Sequence, residues 1–179
     1  MKKVLLLPGW VTSIKLFQVY KDFYIRFGKL NETDLNADYL IGVSLGAMIA
    51  LRDVDKIKGR IILINPPLPK KNFFIWFVRW LKYLKAEGLF WKRQKFTTDP
   101  IKYILELVKC INLLSIDFSI TLDNLVKDKI VVIRGKQDKF FCDDEAVEFL
   151  HSKNIKIVEF DGGHNLSLKM EETMINLMA

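Results

Sequence analysis

The sequence predicts an α/β fold built on a parallel sheet of about five strands. Three observations predict it. Short apolar runs recur along the chain, each ended by glycine, proline or a polar turn. The stretches between them carry helical spacing or helix-start signals. One run, residues 38–43, leads through Gly42-Val43-Ser44-Leu45-Gly46 directly into a helix-forming segment. Alternating strands and helices imply parallel pairing with right-handed crossovers.

In chain order, residues 3–7 (KVLLL) read as the first strand, ended by Pro8-Gly9. Residues 13–27 place Ile14, Phe17, Tyr20, Phe23, Tyr24 and Phe27 at helical spacing, up to Gly28. Residues 38–43 form the second strand and 45–58 the helix after it. Residues 59–64 form the third strand, stopped by Asn65-Pro66-Pro67, and 68–98 an aromatic, basic insertion. Asp99 as N-cap and Pro100 at the first helical position open a helix to about residue 114. Residues 129–134 (KIVVIR) are the fourth strand, 143–152 a helix, 155–160 the fifth strand and 165–178 the closing helix. No repeat or low-complexity linker interrupts this order.

At 179 residues the chain is expected to be a single domain with a sizeable core. Cys110 and Cys142 lie 32 positions apart with no CxxC and no clustered histidines. That pattern is neither a metal site nor a disulfide framework, and it suits a reducing compartment. The start, MKKVLLLPGW, has four apolar residues before Pro8, too few for a signal peptide core, so the expected location is cytoplasmic. Residues 70–95 hold eight basic side chains against one acid, Glu87. Their balance equals the net charge of +7 of the whole chain, whose remainder is neutral. Charge confined to one segment suggests a docking surface.

G-x-S-x-G between a strand and a helix is the layout of a nucleophile elbow, which lifts a serine hydroxyl above the sheet. A serine hydroxyl needs a base within hydrogen-bonding reach, and that base needs an orienting acid. The chain has two histidines. His164 stands in Asp161-Gly162-Gly163-His164-Asn165, after the fifth strand, whereas His151 sits late in a helix beside its C-terminal dipole. Active sites of open α/β sheets gather at strand C-terminal ends, which favours His164. Asp138, in Gly135-Lys136-Gln137-Asp138, is the first carboxylate after KIVVIR. Asp143 and Asp144 fit better as charges at the start of the following helix. The order Ser44, Asp138, His164 follows. The expected oxyanion donors are the N–H of Leu45, after the nucleophile, and of Trp10, since Pro8 has none to offer. Such chemistry calls for no cofactor.

Taken as a set, LLLPGW, GVSLGA, GKQD and GGHN resemble the oxyanion loop, elbow, acid turn and histidine loop of the α/β-hydrolases. The resemblance implies a compact α/β-hydrolase with a helical cap insertion at about 68–98. Pro8 stands where that family usually has histidine. Residues 28–37 are too short for the family's next strand and helix, an outer strand whose loss leaves five strands adjacent. The Pro-Gly-Trp loop, the small size and the insertion are similar to the pimeloyl-acyl-carrier-protein methyl ester carboxylesterases, in particular the compact, BioV-type members. That resemblance implies a serine carboxylesterase of biotin precursor synthesis whose cap docks the acidic acyl carrier protein. An acyl thioesterase, a general short-chain esterase and a non-catalytic acyl- or membrane-binding protein are the alternatives.

The insertion itself agrees with a cap. If residues 71–85 are one helix, Lys71, Arg79, Lys82 and Lys85 share an arc of about 120°, at 100° per residue. Phe73, Trp76, Phe77, Trp80, Leu81 and Leu84 lie opposite. Trp76 and Trp80 are then expected to line an acyl site, and Arg79, Lys82 and Lys85 to face a partner. A solvated amphipathic helix and a helix on an anionic membrane are the other readings. Arg79, Lys82 and Lys85 interrupt any membrane span, and no nucleic-acid-reading motif accompanies the charge.

Overall fold

The computed structural model describes residues 2–9, 30–86, 112–125, 127–165 and 167–179. Among these residues, five strands form one parallel sheet: β1 (Val4–Leu7), β2 (Tyr39–Val43), β3 (Arg60–Ile64), β4 (Ile130–Gly135) and β5 (Lys156–Phe160). They lie side by side in sequence order, and each begins within one residue of its expected place. Helices α1 (Glu32–Leu35), α2 (Leu45–Arg52), α3 (Phe73–Ala86), α4 (Ser119–Asn124), α5 (Asp144–Ser152) and α6 (Leu168–Met178) connect or cover them. The helix expected at 13–27 lies outside the described residues. That expected at 99–114 is described only at 112–114, which are helical, and the insertion only up to residue 86.

Period-two alternation divides the core between the two faces of the sheet. Leu5, Leu7, Leu40, Ile61, Leu63, Ile130 and Val132 pack with α2 and with Leu150 of α5. Leu6, Ile41, Val43, Ile62, Ile64 and Ile133 pack with Met170, Met174 and Met178 of α6. Strands covered on both faces read as the continuous apolar runs seen in the sequence. Residues 45–51 of α2 are all buried, which accounts for the lack of polar side chains before Arg52.

Three departures have physical causes. α2 stops at Arg52, where a chain of tight turns (Val54 N–H to Leu51 O, Ile57 N–H to Val54 O) drops Val54 and Ile57 into the core before β3. α6 starts at Leu168 because Ser167 caps it, its hydroxyl accepting from Met170 N–H. Residues 161–165 thereby stay outside that helix. The short segment before β2 holds α1, a single turn closed by a capping box between Asn31 and Asp34.

Candidate active site

Ser44 follows β2 and caps α2 with φ 52° and ψ −117°, on the left-handed side of backbone space that side chains rarely adopt. Such a conformation costs about 1–3 kcal/mol and persists where its surroundings hold it. Ser44 N–H donates to Ile64 O at 2.8 Å, tying the turn to β3. The flanking glycines are steric necessities: a Cβ on Gly42 would stand 2.6 Å from Ala47 Cα, and one on Gly46 2.0 Å from Leu7 O. The second contact presses the start of α2 against the end of β1, where the Pro8-Gly9 loop begins. Leu45 opens α2, so its N–H belongs to the helix end that has no intrahelical acceptor. Trp10, the other expected oxyanion donor, lies outside the described residues.

Asp138 follows β4 in a turn closed by its own N–H to Gly135 O at 2.9 Å. Its carboxylate is buried and fully engaged. Oδ1 accepts from Phe140 N–H and Phe141 N–H, each at 3.1 Å; Oδ2 accepts from Cys142 N–H at 3.2 Å. His164 Nδ1 stands 2.6 Å from the same Oδ2. Burial pushes this carboxyl's pKa up, yet the hydrogen bond and charge of His164, with the Phe141 and Phe140 N–H groups, hold it below the ordinary 3.8. An ionised carboxylate only accepts, so His164 carries its proton on Nδ1 and turns the Nε2 lone pair outward. Nε2 lies 3.0 Å from Ser44 Oγ. The three residues expected from sequence therefore form one continuous relay from the ends of β2, β4 and β5.

His151 is elsewhere, exposed in the last turn of α5. Asp143 caps that helix, accepting from Ala146 N–H at 3.2 Å, and Asp144 pairs with Arg134 at 2.5 Å. Both play the helix-terminal part that the sequence suggests.

Two positioning residues were not legible as such. Asn65, fully buried with φ 46°, ends β3 and reaches both neighbouring loops. Its Oδ1 accepts from Gly135 N–H at 2.8 Å, and its Nδ2 donates to Gly163 O at 3.1 Å and His164 O at 3.2 Å. One side chain thus spaces the acid turn against the histidine loop. In the sequence, Asn65-Pro66-Pro67 signals only a strand stop. Arg134, buried under the acid turn, donates from Nε to Cys142 O at 3.0 Å and pairs with Asp144 and Glu159.

The insertion comes to the same site. In α3, Trp76 is buried and stacked on Phe141 with ring centroids 6.2 Å apart. Tyr83 stands edge-on to the His164 ring at 5.5 Å, and its hydroxyl donates to Asn165 Oδ1. Trp80 is partly buried and leans on Phe77.

The expected division of α3 into an inner aromatic face and an outer cationic one needs correction. Arg79 does not face outward: it pairs with Asp143 at 2.6 Å and lies 5.6 Å from the Trp76 ring centroid. Lys71 likewise turns in, to Glu145. The reason is helical phase: position 79 follows the inward Trp76 by three residues and shares its side. Lys82 and Lys85 remain exposed, in company with Phe74, which is 68% exposed. Phe73 and Phe77, expected on the inner side, are exposed as well.

The chain matches no family model and no curated protein sequence. It is similar in structure to solved α/β-hydrolases. One, from the metagenome of lagoon sediments at Mar Chica, Morocco, superposes with a TM-score of 0.62 at 15% identity, covering 99% of this chain and 88% of that one. An N-formylmaleamic acid deformylase from Pseudomonas putida S16 gives 0.60 at 16% identity, covering 100% and 92%. An enol-lactonase from Burkholderia xenovorans LB400 gives 0.59 at 14%, covering 99% and 89%. The fold is that of the α/β-hydrolases.

Proposed function

We propose that this protein is a serine carboxylesterase in which Ser44 is the nucleophile, His164 the general base and acid, and Asp138 the residue that holds the imidazole. The observation that carries this reading is the relay itself, 3.0 Å from Ser44 Oγ to His164 Nε2 and 2.6 Å from Nδ1 to Asp138. Nε2 takes the hydroxyl proton as Oγ bonds to the ester carbonyl carbon. Leu45 N–H, with Trp10 N–H in this reading, meets the charge developing on the carbonyl oxygen. The bond to the alcohol oxygen then breaks, His164 returns the proton to it, and the alcohol leaves an acyl group on Ser44. Water, deprotonated by His164 Nε2, attacks the acyl carbonyl carbon; the tetrahedral adduct collapses with cleavage of the bond to Ser44 Oγ, His164 returns the proton to Oγ, and the acid leaves. Asp138 stays ionised throughout, stabilising the imidazolium.

The substrate in this reading is a methyl ester borne on acyl carrier protein, the pimeloyl ester being what the sequence resemblance implies, and the setting is the cytoplasm. The exposed Lys70, Lys82 and Lys85 support an acidic partner. The test is hydrolysis by purified protein of a pimeloyl methyl ester on carrier protein, the free dimethyl ester, and an acyl-carrier thioester. The expected order of kcat/KM places the carrier-bound methyl ester first. A preference for the thioester would make it a thioesterase, equal rates on free and carrier-bound ester would remove the docking partner, and no turnover or serine labelling would leave a binding protein.

A further inference from the structure

The geometry points to Tyr83 as the residue that limits the size of the leaving group, admitting a small alcohol such as methanol and excluding bulky alcohols and thiols. The inference rests on the serine-esterase reading and narrows it. His164 must pass its proton to the departing oxygen, so the leaving group has to stand within about 3 Å of Nε2. The acyl part projects from the other side of the carbonyl carbon. Bulk packed beside the imidazole therefore bears on the leaving group, and the ring is closely packed: the His164 side chain is only 10% exposed. Phe141 packs on the ring at 4.4 Å between centroids, and Tyr83 closes edge-on at 5.5 Å and 78°.

This wall is fixed from several directions. The Tyr83 ring meets Phe140 at 5.8 Å and Phe141 at 5.3 Å, while its hydroxyl is bonded to Asn165, the residue after the base. The helix that carries it is pinned one turn earlier by Arg79 on Asp143 and two turns earlier by Trp76 on Phe141. A bulky leaving group would have to displace α3 and break these contacts together. A carrier thioester would place its long thiol arm against Tyr83; a methyl ester at the far end of a carried chain places only methanol there, with the carrier on the acyl side.

The test is a series of esters of one acid (methyl, ethyl, butyl, benzyl) and its N-acetylcysteamine thioester, each kcat/KM divided by the alkaline hydrolysis rate. For the wild type the normalised value should fall with leaving-group size. Tyr83→Ala should raise the benzyl-to-methyl ratio about tenfold or more, the scale on which a pocket discriminates by bulk. Tyr83→Phe should keep the wild-type ratio, since the ring does the excluding. If Tyr83→Ala does not fold, Tyr83→Leu, which removes the ring but keeps an apolar filler, carries the same expectation. A size-independent wild type, or a folded ring-less variant with an unchanged ratio, would overturn the inference while the esterase reading stood. Failure to hydrolyse any member would overturn both.

Discussion

The relay and the helix above it are held by different means. Asp138 is fixed by three backbone N–H groups and His164, and the histidine loop by the Asn65 amide, with Asp138 and Asn65 themselves buried at strand ends. Helix α3 rests on ion pairs at its rim and on Trp76 and Tyr83, and leaves Phe73, Phe74, Ile75 and Phe77 in the open. Backbone donors cannot be changed by substitution, whereas side-chain contacts can. In the proposed reading, the contrast separates bond cleavage, built into the sheet, from substrate selection, laid over it.

The largest expected effect is on the sheet side. His164→Ala should lower kcat by roughly 10⁴-fold or more, because the relay acts as a unit. His151→Ala, on an exposed surface, should remain within about twofold of wild type by the usual tolerance of such positions. Steady-state kinetics on a methyl ester checks both.

Asp138→Asn should cost about 10⁴ in kcat by favouring the wrong imidazole tautomer. It should also change acid stability. The unfolded chain protonates Asp138 more readily than the folded one, whose carboxyl is held below 3.8. Its stabilising contribution is thus complete above the unfolded value and is lost as pH falls through the folded one. The wild type should lose stability over that acid range more steeply than Asp138→Asn, as urea midpoints would record.

Asn65→Ala comes next. It strands Gly135 N–H and the carbonyls of Gly163 and His164, which should cost about 1–3 kcal/mol of stability. Because the bonds hold the base rather than the substrate, kcat should fall with little change in KM. Asn65→Asp keeps the acceptor for Gly135 but loses both donors, so it should rescue little. A fall in KM-dependent binding alone would place Asn65 outside the positioning of the base.

On the cap, effects should be smaller and selective. Arg79→Ala should lower stability by only about 1 kcal/mol, as a partly exposed ion pair does, while relaxing leaving-group selectivity in the direction of Tyr83→Ala. Lys82→Glu with Lys85→Glu should leave stability unchanged. The pair should reduce kcat/KM for a carrier-bound ester while sparing the free methyl ester, most visibly at low salt.

The same contrast decides what the sequence revealed. Strands β1 to β4 were legible because both faces are mostly buried, leaving apolar runs between turn residues, whereas β5 is a partly exposed edge strand interrupted by Glu159. The meeting of Ser44, Asp138 and His164 was legible because each follows a strand, and the glycines around Ser44 mark a contact no side chain permits. Asn65 was hidden because its work is done through loops 70 and 98 residues away, and a polar residue before Pro66-Pro67 looks like any turn. Arg79 was misplaced because it stands at the edge of the cationic arc, only about 60° around the helix from the inward Trp76, and periodicity does not say what the inner side meets. Here Asp143 and Glu145, at the cap and first turn of α5, made the inner side polar enough to take a cation. Tyr83 gave no signal at all: the role proposed for it rests on Asn165 and His164, which only the fold brings beneath α3.

The central claim is that Ser44 is a nucleophile activated by His164. It is tested most directly by treating the intact protein with a fluorophosphonate and mapping the adduct by peptide mass spectrometry. The account predicts a single phosphonylated residue, Ser44, with labelling abolished in Ser44→Ala and slowed by at least about 10²-fold in His164→Ala, where the hydroxyl has lost its base. An adduct on another residue, or labelling of Ser44 at an undiminished rate without His164, would contradict it.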